Sequence, residues 1–108
     1  MVPTDVDIYN PRSWLKDALL QPESRACFRR LLEQGWCDAL RAEFKGEHVY
    51  TFWDYFRRHW ETNSGLRIDH LLLNAPLHER FHKAGVDKWV RGEEHASDHA
   101  PTWIEIAT

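Results

Sequence analysis

The sequence predicts a single mixed domain of the α/β or α+β kind, in which helices and strands alternate and pack in layers. Three observations predict it. The stretch PESRACFRRLLEQG carries apolar residues at helical spacing between a proline and a glycine. The stretch HVYTFW, rich in aromatic and β-branched residues, reads as strand, and LRIDHLLL, with little polar face, as a buried strand. Finally APTWIEI, at the end of the chain, alternates like a strand and follows a polar loop.

Taken in order, residues 1–21 form a loop-rich entry segment. It holds Pro3 and Pro11, has no helical period, and reads as a loop leaving a preceding strand. The helix that follows has Pro22 at a first helical position, Glu23 in its first turn, Phe28, Leu31 and Leu32 on one face, and Gly35 as its stop. WCDALRAEF predicts a short strand running into a turn. EHVYTFWDYF predicts a strand in its middle, RRHWETNSG a polar loop, and LRIDHLLLN a buried strand. APLHERFHKAG predicts a short helix ending at Gly85, VDKWV a strand, RGEEHASD a loop, and APTWIEI the closing strand. No internal repeat or low-complexity tract interrupts them.

Composition narrows the functional classes. A chain of 108 residues buries roughly 65% of its unfolded surface, enough for one modest core. Hydrophobic residues at 43% and charged residues at 29% are ordinary globular proportions. Six tryptophans exceed what a small core needs, which points to a surface that stacks on something or packs on further protein. A net charge of −3 argues mildly against autonomous nucleic-acid binding, where phosphate neutralisation supplies most of the affinity. It leaves room for a site where a cation offsets local carboxylates. Cys27 and Cys37, without a Cys-x-x-Cys spacing, predict reduced, mostly buried thiols rather than a disulfide or zinc site. No apolar run reaches the ~18–20 residues of a membrane helix, so the expected chain is soluble and cytoplasmic.

The chemistry concentrates in three residues. Asp69 lies inside LRIDHLLLN, where a buried carboxylate needs a partner or hydrogen bonds. His99, at the mouth of the closing strand, is a natural partner: a carboxylate on one ring nitrogen fixes the tautomer and frees the other. Asp98 beside it adds a second acid, a set suited to metal-assisted phosphate hydrolysis. The plainer reading stands next to this one. Asp-His dipeptides are common, and backbone amides at a strand end would satisfy Asp69 as well. His70, His78, His82 and His95 read as surface or packing residues, and no His-x₃-His cage is present.

YTFWDY, GLRIDHLLL and SDHAP, in that order and at these intervals, closely resemble the C-terminal half of exonuclease III-type enzymes. These are the 3′-to-5′ exodeoxyribonucleases and abasic-site endonucleases of the endonuclease/exonuclease/phosphatase superfamily. The opening VPTDVDIYNPRSW resembles the segment that follows this family's Gly-Asp-x-Asn motif. The resemblance implies that residues 1–108 are one partial domain, the C-terminal half of a four-layered α/β sandwich. It implies that Asp69 holds a catalytic His99, which contacts the scissile phosphate, and that Asp98 is a metal-site acid. Phe52, Leu66 and Ile68 would line the pocket for an extruded abasic sugar, with Trp53 as support. The implied cofactor is Mg²⁺ or Mn²⁺ in the full-length enzymes, weakly bound or absent here. The implied partner is double-stranded DNA with an abasic site or a 3′ end.

The family's N-terminal asparagine, metal-binding glutamate and tyrosine, and the aspartate of Gly-Asp-x-Asn, have no counterpart in this sequence. A placed acid–base group is worth about 10² to 10⁴ in rate, so the chain is expected to be inactive alone. An uncovered sheet face would favour a homodimer or association with an N-terminal half. A non-catalytic, self-associating or partner-binding module is the alternative, and half of a superfamily phosphatase the third reading.

Overall fold

The computed structural model describes residues 1–108, and it is mixed as expected but sparing in regular structure. Helices α1 (Pro22–Glu33), α2 (Ala39–Glu43), α3 (Ala75–Glu79) and α4 (Lys88–Arg91) alternate with strands β1 (Cys37–Asp38), β2 (Leu72–Leu73), β3 (Phe81–Val86) and β4 (Thr102–Ile106). The entry segment contains three short 3₁₀ turns, at Asp5–Asp7, Pro11–Trp14 and Ala18–Leu20. Strands pair antiparallel, β1 with β2 and β3 with β4. Helix α1 has Pro22 in its first turn and buries Phe28, and Gly35 leaves it with a φ of 107°, a left-handed value that glycine adopts without strain.

Between these pairs runs a ribbon held by single bridges: Ile8 to Leu66, Leu66 to Phe52, and Phe52 to His99. Leu66 exchanges backbone hydrogen bonds with Phe52 (2.9 and 3.1 Å), while Tyr9 and Arg67 donate to the Gly65 and Asp7 carbonyls. Three apolar clusters flank it. Val2, Ile8, Leu20 and Leu66 form one; Ala39, Leu40, Leu73 and Ala84 a second; Tyr50, Trp53 and Ala100 the third.

Several expected elements differ, each for a local reason. HVYTFW and LRIDHLLL are extended but bridge at single residues, and only Leu72–Leu73 is strand. The amides of Ile68 and Asp69 both donate to the Thr51 hydroxyl (3.1 Å each) instead of to a neighbouring strand. In WCDALRAEF the strand gives way to a helix, because the Asp38 carboxylate caps it by accepting from the Arg41 amide. Gly85 does not end a helix. It sits within β3, where a Cβ would overlap the Trp103 ring. VDKWV leaves the sheet after Val86 and turns into α4, with the Asp87 carboxylate taken by the Trp103 indole (3.0 Å). Cys27 is exposed and Cys37 half-buried, so the thiols are less buried than expected: Cys27 lies on the outer side of α1.

A buried ionic cluster ties these pieces together. Arg67, 1% exposed, donates from Nε to Asp7 (2.7 Å) and from its two terminal nitrogens to Asp38 (3.0 and 2.9 Å). Asp7 is completely buried and also accepts from Arg41 and from the Thr4 amide and hydroxyl. Burial alone pushes the Asp7 carboxyl up. The Arg67 guanidinium and the hydrogen bonds from Thr4 and Arg41 outweigh that and hold it below its ordinary 3.8.

A carboxylate depressed in the folded state adds stability above its unfolded value and loses it as pH falls through the folded one. The urea midpoint should therefore decline as pH drops below about 4, and Asp7→Asn should flatten that limb. At neutral pH the same substitution, by leaving Arg67 half unpaired, should cost about 3–5 kcal/mol in urea unfolding. Gly85→Ala should cost about 1–3 kcal/mol by the same measurement, because the Trp103 ring cannot yield without moving the hairpin.

Candidate functional site: an Asp–His pair on an open hollow

Asp69 and His99 meet. The Asp69 carboxylate lies 2.7 Å from His99 Nδ1. A carboxylate can only accept, so Nδ1 carries the hydrogen and Nε2 is left free. Thr51, fully buried, sets the Asp69 backbone through its hydroxyl. The Phe52 bridge sets His99, and the Phe52 ring packs edge-on against the imidazole at 5.1 Å between centroids. His99 lies three residues ahead of β4, where the Thr51–Trp53 segment receives it: Trp53 donates to the Asp98 carbonyl (2.9 Å) and Ala100 to the Thr51 carbonyl (2.8 Å).

The pair is not buried, as LRIDHLLLN had suggested. The Asp69 and His99 side chains are 38% and 43% exposed. They stand beside an open hollow of about 430 Å³ lined by Ile68, Asp69, His70, Leu71, Ala100 and Thr102. His70, at its wall, also packs on Phe28 and reaches the Met1 carbonyl at 2.9 Å. Burial pushes its imidazole below the ordinary value, so it is neutral at pH 7.

The apolar residues divide into two groups. Phe52 and Ile68 are half-buried and reach the surface. Leu66 is wholly buried and Trp53 only 1% exposed, its indole donating to Asn63 (3.0 Å), so these two support the site from beneath. Asp98, half-buried and not among the residues that line the hollow, has no side-chain hydrogen-bond or ion-pair partner. No group of three or more His, Cys, Asp or Glu is placed to hold a metal ion. Asp69 is taken by His99, and a single carboxylate does not make a Mg²⁺ site, so the residues present do not fit the cation by themselves.

Two contributors escaped the sequence reading. Thr51 was hidden by its ordinary place in a strand-like run. The second is the tip of the 54–63 segment, whose residues 54–56 were read as the end of the aromatic stretch EHVYTFWDYF and whose residues 57–63 were read as part of a polar loop. It exposes Tyr55 (60%) and Phe56 (73%) and continues into Arg57 and Arg58, both in the left-handed region at φ 54° and 56°. Non-glycine residues cost about 1–3 kcal/mol there and persist where the surroundings impose the conformation. The signal was available: two aromatics followed by two arginines in an otherwise acidic chain. Beneath the tip, Lys88 and Arg91 lie over the Trp60 ring at 5.5 and 5.4 Å.

No family model matches the sequence. The chain is 36% identical over 111 residues to the exodeoxyribonuclease III of Haemophilus influenzae, a match covering 96% of this chain and 42% of that protein. Its fold superposes on an AP endonuclease from Archaeoglobus fulgidus with a TM-score of 0.93 at 29% identity, covering 100% of this chain and 42% of the other. It also superposes on the 3′ phosphatase NExo from Neisseria, solved with a product DNA hairpin, with a TM-score of 0.89 at 31% identity and the same coverage. The chain is thus similar, over nearly all of its length, to exodeoxyribonuclease III and AP endonucleases and has the fold of a part of them. It spans less than half the length of the relatives it matches.

Because both partners are more than a third exposed, the Asp69–His99 pair holds little of the fold together. Asp69→Asn should change the urea-unfolding free energy by less than about 1 kcal/mol, in contrast to Asp7→Asn.

Proposed function

We propose that these residues form one part of the active site of a DNA-repair nuclease, hydrolysing phosphodiesters at abasic sites or 3′ ends. The observation that carries this reading is the 2.7 Å Asp69–His99 pair beside an open hollow, in a fold similar to that of AP endonucleases. Asp69 orients His99, whose Nε2 faces the substrate. Through Nε2 the ring contacts a phosphoryl oxygen of the substrate, held in orientation by Asp69 at Nδ1. Asp98 belongs to the metal-binding acids of the completed site, and Phe52 and Ile68 line the sugar pocket over Leu66 and Trp53. The exposed tip, with Arg57 and Arg58, meets the phosphate backbone. The reading places the chain in the cytoplasm, with the DNA it acts on.

The 108 residues supply no group to activate the attacking water other than those already engaged, so the chain alone is inactive. Further surface has to close the hollow, contributed by an N-terminal half or by a second copy. In a duplex carrying one abasic site, with magnesium, this chain alone should give no incision. Mixing it with a matching N-terminal half should restore incision, and His99→Ala should abolish the restored activity by at least about 10²-fold. Incision by the chain alone would overturn the reading of a partial site. In sedimentation velocity the chain alone should run as a dimer or larger, and a single monomeric boundary would remove the second copy as the covering surface.

A second reading is favoured by the likeness to the Neisseria 3′ phosphatase: the same pair would serve removal of a 3′-terminal phosphate. A 3′-phosphorylated duplex in the mixed assay separates the two, by release of inorganic phosphate without strand cleavage.

A further inference from the structure

We propose that Tyr55 is a positioning residue for His99, acting through the carbonyl of Ala96. From Gly92 to Ala100 the chain has no regular structure, and the loop carries both Asp98 and His99. From Ala96 onward, four hydrogen bonds join it to segments other than the adjoining β4. Ala100 donates to the Thr51 carbonyl (2.8 Å), Trp53 donates to the Asp98 carbonyl (2.9 Å), Asp69 accepts from His99 (2.7 Å), and the Tyr55 hydroxyl donates to the Ala96 carbonyl (2.8 Å). The first two are backbone bonds that any residue would make. Asp69 engages only the imidazole. The Thr102 hydroxyl reaches only the Ala100 carbonyl (3.3 Å), past His99, so Tyr55 is the one side chain outside the loop that fixes its backbone ahead of Asp98 and His99.

Its own orientation is preset. The Tyr55 ring lies against the Arg91 guanidinium, 5.1 Å from ring centre to carbon, and Arg91 is buried and bonded twice to the Trp53 carbonyl (3.2 and 2.8 Å). Immediately before the tether, His95 is held at φ 59°. That turn is closed by the Ala96 amide on the Glu93 carbonyl (3.2 Å), and the Tyr55 tether on the Ala96 carbonyl fixes the turn to the rest of the molecule. Without it the half-exposed Asp69–His99 pair would have to hold both the imidazole and five residues of loop, more than an exposed pair can do. Tyr55 is also the first residue of the aromatic and basic tip, so whatever occupies Phe56, Arg57 and Arg58 meets the side chain that holds His99 in register. The inference adds a residue to the site proposed above and rests on that reading only for its purpose, not for its geometry.

The test uses the unliganded full chain, labelled with ¹⁵N, with no DNA or metal present. Two signals report the tether: the downfield Nδ1–H resonance of His99 bonded to Asp69, and the exchange rate of the Trp53 amide, which is bonded to the Asp98 carbonyl. Tyr55→Phe keeps the ring on Arg91 and removes only the hydroxyl. It is expected to leave the Trp53 indole and β3–β4 resonances in place, broaden or remove the His99 signal, and speed Trp53 amide exchange by about fivefold, the loss of one hydrogen bond. Phe56→Ala, one residue along the same tip, is expected to change neither. The proposal is overturned if Tyr55→Phe leaves both signals as in the parent chain, if Phe56→Ala reproduces its effect, or if the parent shows no bonded His99 proton. Failure here leaves the nuclease reading untouched, and failure of incision leaves this result standing.

Discussion

Arg67 is the residue on which the arrangement depends. A guanidinium 1% exposed is tolerable only when carboxylates meet it, and it is met by two, from parts of the chain far apart in sequence. Asp7 comes from the entry segment and Asp38 from the start of α2. Satisfying Arg67 therefore fastens residues 4–9, the α1–α2 connection and the 65–69 run to one another. Leu66 is then confined between Ile8 and Phe52, and Asp69, two residues beyond Arg67, emerges where Thr51 can hold its amide. The attraction to Asp7 and Asp38 raises the Arg67 pKa against the opposing effect of its burial.

The acid–imidazole pair is built on the opposite principle. It is half-exposed, contributes little to stability, and draws its geometry from backbone bonds made by the Thr51–Tyr55 run. Buried contacts concentrate in the ionic cluster and around Trp53, which meets Trp60 edge to face beneath Arg91, and the Asp69–His99 pair is left beside the hollow. A site placed this way can be completed by further surface without refolding what is already formed. That agrees with a chain that superposes throughout on structures more than twice its length.

Charge distribution shows the same division of labour. The net charge of −3 weighs against general affinity for nucleic acid. Yet the acids that dominate the buried cluster are spent on Arg67 and Arg41, while Arg57 and Arg58 are set out on a strained, exposed tip. Local placement matters more than the sum, because screening confines the influence of an exposed charge to about 10 Å.

Much was legible in the sequence. Helix α1, the closing strand and the mixed class followed from periodicity and from Pro22 and Gly35, which are local properties of the chain. The pairing of Asp69 with His99 was legible as a chemical need, and the three quoted stretches carried the likeness to exonuclease III-type proteins. Other features had no local signal. Gly85 reads as a helix stop until the Trp103 ring is found lying on it. Arg67 reads as one polar residue in an apolar run until Asp7 and Asp38 converge from 60 and 29 residues away. HVYTFW has strand propensity but only single bridges, since a strand needs a neighbour and the neighbours here meet it one residue at a time. The sequence by itself determined which residues could do chemistry and which segments prefer helix or strand. Tertiary structure alone decided which charges are buried and how far the Asp69–His99 pair stands exposed, because those depend on contacts between segments that no local pattern encodes.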